Sequence, residues 1–204
     1  VDAKNTNLFN GVIEVEKYRM TTEKHKFYKS QNFQLGTLFY EGQPYYSVQL
    51  KYDLYEDVVL INGGNTIRLE NDKIDRFFIG DKAFVKLKPT VFSNLNIDGF
   101  FELFINTPEY KLFIKHKKTK LDRLGNRLMY HDFNADNNYL VFYQNKYYRI
   151  KSKNDIIDIF PVYKSQLNQY NKKSSGTSTK EDFLLFLLVR VNELLLNEKT
   201  LKSE

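Results

Sequence analysis

The 204-residue sequence contains no cysteine and no long apolar run. Without cysteine, the chain forms no disulfide, offers no thiolate to a metal and has no cysteine nucleophile. The longest uninterrupted apolar stretch, residues 183–189, is seven residues long, whereas a membrane-spanning helix needs about 20. We therefore predict that no helix of this chain crosses a membrane.

The sequence also lacks the common motifs of catalysis. It has no phosphate-binding GxxxxGK loop, no dinucleotide-binding GxGxxG and no GxSxG nucleophile motif. Its three histidines, His25, His116 and His131, lie in unrelated segments and show none of the paired spacings of a zinc site. We therefore predict a protein that is not an enzyme, with no catalytic residue, no metal site and no cofactor.

What is present is an aromatic, moderately basic composition of the globular type. Tyrosine (15) and phenylalanine (17) make the chain 16% aromatic, and 31 basic against 25 acidic residues give a net charge of +6. Because the two signs are mixed along most of the chain, we expect a solvated surface and no nucleic-acid partner. The sequence begins at Val1 and not at methionine, so it is either a processed product or an expressed piece of a longer chain, and a removed export signal would leave such a start.

The strand signals form a series of hairpins, the clearest of them around Gly42. A strand ending at Tyr40 is followed by a turn over residues 41–44 and a second strand over residues 45–54. Gly42 can supply a positive φ, and Pro44, which has no N–H, is predicted to lie in the turn and not in a strand. Further strand pairs are predicted at 58–61 with 66–69, 74–79 with 83–88, 99–106 with 110–115, and 139–143 with 147–151, with a short edge strand within 11–16 and a break at 89–96.

The spacing of these strands and a change of period after them predict two parts. Residues 1–151 are expected to form a mainly β (α+β) body, an antiparallel sheet of hairpins arranged as a sandwich or an open barrel. Residues 152–204 are expected to form C-terminal helices packed on that body. Ser152 followed by Asp155 has the pattern of a helix N-cap with an acidic partner.

A last helix is predicted after a polar linker at residues 171–178, with Thr179 as its N-cap. Within this helix, residues 183–189 are apolar on every face. A helix of this kind is not stable when solvated, so it must be covered either by the β body or by a partner.

Two groups of side chains around the central hairpin are candidate sites. Tyrosines of the second strand could form an aromatic platform for a sugar or a peptide, or could be ordinary half-buried sheet residues. They are Tyr45, Tyr46, Tyr52 and Tyr55. Asp53 and Asp57, with Glu56, could be the paired carboxylates of a hydrolase, although carboxylates in a turn more commonly cap it or remain solvated.

Residues 118–138 are polar and weakly patterned, and we predict a surface excursion or a functional loop of about twenty residues. Three of its side chains match the first three ligand positions of a calcium loop. They are Asp132, Asn134 and Asp136. Because Asn137 stands where that loop needs glycine and Tyr143 where it needs glutamate, we interpret the segment as an Asx-rich turn.

One basic cluster lies at the start of this segment. It consists of Lys115, His116, Lys117, Lys118 and Lys120. Tyr110 and Phe113 are close to it in sequence, and aromatic and basic side chains together can bind nucleic acid. Since Phe113 is expected to point into a core, we interpret the cluster as the solvated end of a strand.

Two stretches of the sequence carry a resemblance to known proteins. The first reads Gly36-x-Leu38-x-Tyr40-x-Gly42, then Tyr45-Tyr46-x-Val48-x-Leu50-Lys51-Tyr52-Asp53-Leu54-Tyr55-x-Asp57. The second, residues 147–161, ends in SKNDIIDIFP. Both are similar to small exported proteins of Gram-negative bacteria that use the type 9 secretion system. That group is mostly uncharacterised, and one member with this general shape resembles the plug protein that closes the periplasmic side of the type 9 translocon.

The resemblance implies a compartment and a partner. It places the protein in the periplasm, peripherally associated with the outer membrane, with an outer-membrane channel or translocon as its protein partner. It also implies that the partner docks on the aromatic strands and the apolar C-terminal helix. The residues concerned are Tyr45, Tyr46, Tyr52, Tyr55, Phe183 and Phe186.

Three hypotheses about function follow. The leading one is a non-enzymatic exported protein that acts as a subunit or plug of an outer-membrane assembly, on the periplasmic side of a type 9 translocon. The first alternative is a periplasmic module that binds a sugar or a peptide through exposed tyrosines. The second alternative is a hydrolase that uses Asp53 and Asp57.

Overall fold

The computed structural model describes residues 7–87, 98–125, 128–173, 175–177 and 179–202. Within these ranges the chain forms thirteen β-strands and three α-helices. The strands are β1 (Val12–Ile13), β2 (Gln34–Tyr40), β3 (Gln43–Asp53), β4 (Val58–Asn62), β5 (Thr66–Arg68), β6 (Ile74–Ile79), β7 (Lys82–Leu87), β8 (Gly99–Asn106), β9 (Tyr110–Lys115), β10 (Lys118–Gly125), β11 (Leu128–Ala135), β12 (Asn138–Tyr143) and β13 (Lys146–Ile150). The helices are α1 (Lys153–Ile159), α2 (Lys164–Asn168) and α3 (Lys180–Lys202), with short 3-10 turns at Asn7–Phe9, Asn71–Lys73 and Pro161–Tyr163. The predicted break at 89–96 lies outside the described residues.

The predicted class, a mainly antiparallel β fold with C-terminal helices, is confirmed, and the sheet is open and not a closed barrel. The elements form two compact units. The first comprises Val1–Phe104 and Lys115–Asn137, and the second comprises Ile105–Ile114 and Asn138–Glu204. These units divide the chain differently from the predicted boundary at residue 151. The reason is that the buried side chains of β9, β12 and β13 pack in one cluster with those of the helices.

In the first unit the strand order is β1-β5-β4-β3-β2-β6-β7-β8. Strands β2 and β3 form the predicted central hairpin, in which Tyr40 pairs with Gln43. The turn between them consists of Glu41 and Gly42, whose φ values are 50° and 74°. Two successive residues with positive φ are typical of a type I′ turn, whose twist matches that of the flanking strands.

Pro44 lies in β3 and not in the turn, so its predicted position was wrong. It pairs with Phe39 of β2. Because Tyr40 and Gln43 form the hydrogen-bonded pair that closes the turn, the next pair is non-hydrogen-bonded, and the nitrogen of Pro44 faces away from β2. The strand therefore accommodates a proline without losing a hydrogen bond to β2.

The core of the first unit is aromatic. Phe77 and Phe84 stack with ring centroids 4.8 Å apart, and Tyr52 meets both rings edge-on at 5.3 Å. The close approach of β2 and β6 depends on Gly36, because a Cβ there would lie 2.1 Å from the carbonyl oxygen of Phe78. The many strand aromatics of the sequence thus fill an interior, where their large surfaces stabilise the unit.

Residues 118–138, which we predicted to be a polar loop, contain an antiparallel hairpin. Strands β10 and β11 pair along their whole length and form a separate two-stranded sheet. The signal that could have found this hairpin is the Gly125-Asn126 pair in the sequence, which is typical of tight turns. The prediction failed because charged side chains on both strands hide the alternation that normally marks a strand.

In the second unit, β9, β12 and β13 are adjacent in that order. Helix α1 begins at its predicted cap, since Ser152 Oγ accepts the Asp155 N–H at 3.3 Å and the Asp155 carboxylate accepts the Ser152 N–H at 2.9 Å. This reciprocal pair is a capping box. Helix α3 also has its predicted cap, because Thr179 Oγ1 accepts the N–H of Asp182 at 3.0 Å.

The apolar stretch of α3 is covered by its own unit. Leu187 and Leu188 are fully buried in a cluster with side chains of β9, β12, β13 and α1. The hydroxyl of Tyr110 on β9 donates to the carbonyl oxygen of Leu188 at 3.1 Å. The sequence left open whether the β body or a partner covers this stretch, and in the structure strands and helices of this chain cover it. In the part of the chain that the structure describes, no helix is long and apolar enough to span a membrane.

Candidate functional site

Two of the four predicted tyrosines lie together at the surface. Tyr45 and Tyr46 line one groove beside β3. Tyr52 is 1% exposed and belongs to the aromatic core. Tyr55 packs edge-on against Phe133, with ring centroids 5.2 Å apart. The predicted set is therefore reduced to Tyr45 and Tyr46, and the groove that they share is the candidate site.

The two predicted phenylalanines of α3 pack within their own unit. Phe183 is 9% exposed and belongs to the core of the second unit. Phe186 is half-buried, with its ring edge-on to Tyr170 at 5.2 Å and the guanidinium of Arg190 5.2 Å from its centroid. Phe183 therefore presents almost no free apolar surface for docking, and Phe186 presents only part of its ring.

The groove has a volume of about 730 Å³ and lies entirely in the first unit. It is bounded by the first half of β3, by the turn Asn7–Phe9 and by the end of β4. Its lining includes Phe9, Pro44, Tyr45, Tyr46, Gln49 and Asn62. A concavity of this size, with aromatic walls and a few polar groups, is typical of ligand sites.

The groove lies where the first half of β3 has an open outer side. Strand β4 pairs with β3 over residues 50–53, and none of the other described strands pairs with this side of residues 43–49. Ser47 has a φ of 55°, and the register between β2 and β3 shifts beside it, so β3 carries a β-bulge there. Together with Pro44, the bulge makes this edge irregular.

The apolar and aromatic side chains of the groove differ in exposure. Phe9, Tyr45 and Val48 are partly buried and pack against the core of the first unit, so they form a fixed wall. Tyr46, by contrast, is 71% exposed. Successive residues of a strand point to opposite faces of the sheet, so Tyr45 and Tyr46 lie on opposite sides of the edge of β3. Both line the groove, which therefore follows this strand edge.

The polar side chains of the groove are neutral. Asn62 Nδ2 donates to Gln49 Oε1 at 2.7 Å, and Asn62 Oδ1 accepts the N–H of Gly64 at 3.1 Å. These bonds orient Gln49 and leave its Nε2 as a donor with no acceptor among the described residues. None of the ten described residues that line the groove carries a formal charge. The groove therefore favours an uncharged ligand, because a charged group would lose hydration without gaining an opposite charge.

The predicted acidic pair is bound to lysines. Asp53 is 1% exposed, and its carboxylate accepts from Lys26 Nζ at 2.8 Å and from two backbone N–H groups of the following turn at 2.9 and 3.0 Å. Asp57 accepts from Lys115 Nζ at 2.6 Å. Both carboxylates therefore hold the turn after β3 in place, and the hydrolase hypothesis gains no open pair of acids from this geometry.

Sequence analysis missed the buried Lys26. Its side chain is 1% exposed and lies 3.3 Å from Glu16 as well as 2.8 Å from Asp53. Burial opposes the charged form, but the hydrogen bond and charge of Asp53, with those of Glu16, raise the pKa of Lys26 above its usual value. Burial raises the pKa of Asp53, and the bond from Lys26 opposes that rise. No signal in the sequence marks Lys26, since a lysine in a polar connection is normally exposed.

Each histidine has its own polar partner. His116 Nε2 lies 2.6 Å from Oε2 of the buried Glu102, and His131 Nδ1 lies 2.8 Å from Oδ1 of Asp122. His25 Nδ1 accepts a backbone N–H at 3.1 Å, and burial lowers the pKa of its ring. Among the described residues, no group of three or more histidine, aspartate or glutamate side chains is arranged to hold a metal ion.

The segment that resembles a calcium loop is engaged in ion pairs. Asp132 is buried and lies 3.2 Å from Lys24 Nζ and 3.1 Å from Arg123 Nε. Burial opposes the charged form, but the bonds from Arg123 and Lys24 hold the pKa of Asp132 below its usual value. Asp136 lies 3.9 Å from Lys117 Nζ. These carboxylates therefore stabilise the β10–β11 hairpin.

The side chains of the basic cluster likewise have partners within the chain. Lys115, His116 and Lys117 have the acidic partners described above. Lys118 Nζ donates to the carbonyl oxygen of Phe27 at 3.1 Å, and Lys120 Nζ lies 2.9 Å from Asp122. The predicted solvated strand end is instead a set of internal contacts that fasten the β10–β11 hairpin and its neighbours.

The end of the β10–β11 hairpin exposes apolar side chains. The exposed fractions are 43% for Leu121, 79% for Leu124, 54% for Leu128 and 60% for Met129. Leu124 and Met129 are direct cross-strand partners, so they lie on the same face. We call these four residues the hairpin tip. The register and the alternation of side chains put Leu121 and Leu128 on the opposite face of the ribbon. Exposed apolar side chains of this kind are typical of surfaces that contact a partner.

No protein-family model, curated protein or solved structure matches this chain. The fold defines a class, an open antiparallel β protein with C-terminal helices, and that class by itself carries no function. Two surfaces of the first unit, the groove and the hairpin tip, are therefore the candidate sites of function.

Proposed function

We propose that this protein is a non-enzymatic binding module and that the groove beside β3 is its site for a sugar or a peptide. The observation that supports this is the shared position of Tyr45 and Tyr46, one held against the core and one exposed, in a groove of about 730 Å³. Tyrosine offers a large contact area with few rotatable bonds, so its ordering on binding costs little entropy.

Arrays of glycans and peptides probed with the wild-type protein and with Tyr46→Ala test this proposal. We expect at least one ligand class to bind the wild type and to bind Tyr46→Ala about tenfold more weakly, because losing an aromatic contact costs about 1 kcal/mol or more. Tyr130→Ala is the matched control, since Tyr130 is a half-buried tyrosine of β11 outside the groove. If no ligand is found whose binding depends on Tyr46, the proposal is refuted.

A second candidate is the role that the resemblance implies, a subunit or plug on the periplasmic side of the type 9 translocon. The observation that favours a protein partner is the hairpin tip, whose four apolar side chains are exposed at the end of a two-stranded ribbon. Apolar anchors of this kind contribute strongly when a partner buries them. The identity of the partner and the periplasmic compartment stay predictions.

Purification of tagged protein from the detergent-solubilised envelope of its native host tests the second candidate. We expect an outer-membrane channel to co-purify in stoichiometric amount and to be lost with the double variant Leu124→Ser, Met129→Ser. Leu35→Ser is the control, because Leu35 is 65% exposed on β2, away from the hairpin tip. Recovery of the protein alone would count against this candidate.

A further inference from the structure

The chemistry of the groove separates the two ligand classes. Its polar side chains are amides and hydroxyls, those of Gln43, Ser47, Gln49 and Asn62 together with the tyrosines, and none of its ten described lining residues is charged. We infer that the ligand is a neutral glycan, a chain of uncharged sugar units, and not a peptide. This inference rests on the function proposed above and names the ligand of that same site.

The polar groups of the groove match those of a sugar. Each sugar hydroxyl both donates and accepts hydrogen bonds, and the amides of Gln49 and Asn62 also supply both functions. Gln49 is already oriented by Asn62 at 2.7 Å and keeps its Nε2 as a donor. The C–H face of a sugar ring is apolar and can lie on an aromatic ring such as that of Tyr46.

The strand edge beside the groove is poorly suited to a peptide. An extended peptide normally binds at a sheet edge by adding a strand through main-chain hydrogen bonds. Here Pro44 has no N–H on the outward side of β3, and the bulge at Ser47 breaks the regular alternation of outward N–H and C=O groups. Proline and bulges are features that proteins use to prevent strand addition. A glycan does not bind through a ladder of main-chain hydrogen bonds, so neither Pro44 nor the bulge hinders its binding.

The placement of the two tyrosines indicates a ligand longer than one sugar unit. Tyr45 and Tyr46 lie on opposite sides of the strand edge, so one ring of a ligand cannot stack on both. The open edge, residues 43–49, extends over roughly 20 Å at a rise of about 3.3 Å per residue. One sugar ring covers only part of this edge, whereas an oligosaccharide can follow it, and we expect the oligosaccharide to bind at least about tenfold more tightly than the monosaccharide.

The test compares four ligand sets in one binding assay: neutral oligosaccharides, acidic oligosaccharides, uncharged peptides and charged peptides. We expect neutral oligosaccharides to bind the wild type. The affinity of Tyr46→Ala should be about tenfold weaker, and that of Tyr46→Phe, which keeps the ring, should be at most about threefold weaker. Binding is expected to be unchanged between about 0.05 and 0.5 M salt, because no charge pair forms. Circular dichroism confirms that each variant is folded, and Tyr130→Ala serves again as the matched control.

The outcomes distinguish this inference from the function on which it rests. Peptide binding that depends on Tyr46, without glycan binding, overturns the inference and leaves the binding module intact. Tighter peptide binding by Pro44→Ala, which restores an N–H at the edge, also overturns it, since that result indicates strand addition. Binding confined to acidic glycans and weakened by salt overturns it as well. If no ligand of any set binds, both the inference and the proposed function fail.

Discussion

The two units of this chain are stabilised by different kinds of core. In the described residues, every buried charged or histidine side chain lies in the first unit. These side chains are His25, Lys26, Asp53, Glu102 and Asp132. The second unit instead buries aliphatic side chains such as Leu187, Leu188 and Val191. Its strands bond to α3 through tyrosine hydroxyls, as Tyr139 does to the carbonyl oxygen of Glu181 at 3.1 Å.

This difference explains why both candidate surfaces lie in the first unit. Apolar contacts are non-directional, so they suit the regular helix and strands of the second unit. Irregular segments need directional bonds to fix one arrangement. In the first unit, the connection that contains Lys26 is fastened to β3 by the bond to Asp53, and backbone pairing of Tyr28 N–H with Tyr52 C=O at 2.8 Å supports it. An irregular groove and a hairpin outside the main sheet require such directional bonds.

The largest expected effect comes from breaking the buried ion pair of the first unit. We expect Lys26→Met to lower the free energy of unfolding by about 4 kcal/mol, because it leaves the Asp53 carboxylate buried and unpaired. Urea denaturation followed by circular dichroism measures this. The double variant Lys26→Met, Asp53→Leu removes both charges and should recover at least half of the loss. If Lys26→Met alone loses less than about 1 kcal/mol, the buried ion pair is not a main support of the first unit, and the contrast between the two cores is contradicted.

A slightly smaller effect is expected from the apolar core of the second unit. Leu187→Ala should lower the free energy of unfolding by about 3 kcal/mol, since it leaves a cavity at a fully buried position. Hydrogen exchange followed by mass spectrometry should show the loss of protection in peptides of β9, β12, β13 and α3. Leu196→Ala, at a position 46% exposed, is the control and should change stability by less than about 0.5 kcal/mol. If Leu187→Ala instead loses amide protection chiefly in strands of the first unit, the two units do not have separate cores.

The helix cap of the second unit should contribute less. Ser152→Ala removes the side-chain acceptor of the capping box, and we expect a loss of about 1 kcal/mol in urea denaturation. Ser152→Asp keeps an acceptor at this position and should retain most of the stability. Equal losses in the two variants would show that the cap bond does not stabilise α1.

The smallest expected effect is local and depends on pH. The bonds from Lys120 and His131 lower the pKa of Asp122, and those from Arg123 and Lys24, against the effect of burial, lower that of Asp132. A carboxyl with a lower pKa in the folded state stabilises that state above its unfolded pKa, and this contribution is lost as the pH falls through the folded value. We therefore expect the β10–β11 hairpin to loosen below pH 3.8, the ordinary value for these carboxyls.

Amide exchange of β10 and β11, measured between about pH 6 and about pH 3 and corrected for intrinsic rates, checks this prediction. Asp132→Asn should show a smaller change with pH than the wild type, because one of the two titrating groups is gone. Strands β12 and β13 provide the internal comparison. If the β10–β11 and β12–β13 hairpins loosen to the same degree, the effect is general acid unfolding and not the titration of Asp122 and Asp132.

Several local features could be predicted because their signals lie within a few residues of one another. The hairpin at Gly42, the capping box of Ser152 and Asp155 and the cap at Thr179 all occur where the sequence indicates. The predicted position of Pro44 was wrong because a two-residue turn and a four-residue turn have similar sequence patterns. The β10–β11 hairpin was missed because ion pairs, and not alternating apolar residues, stabilise much of its length.

The amino-acid pattern alone was enough to predict the class of fold, the order of most strands and helices, the absence of cysteine chemistry and the two tyrosines of the proposed site. Tertiary structure decided which side chains are buried and which share a surface. Lys26 is buried because another strand brings Asp53 to it, and the groove is open because β4 pairs with β3 only from Leu50 onward among the described strands. Such facts depend on contacts between distant segments, and no local pattern records them.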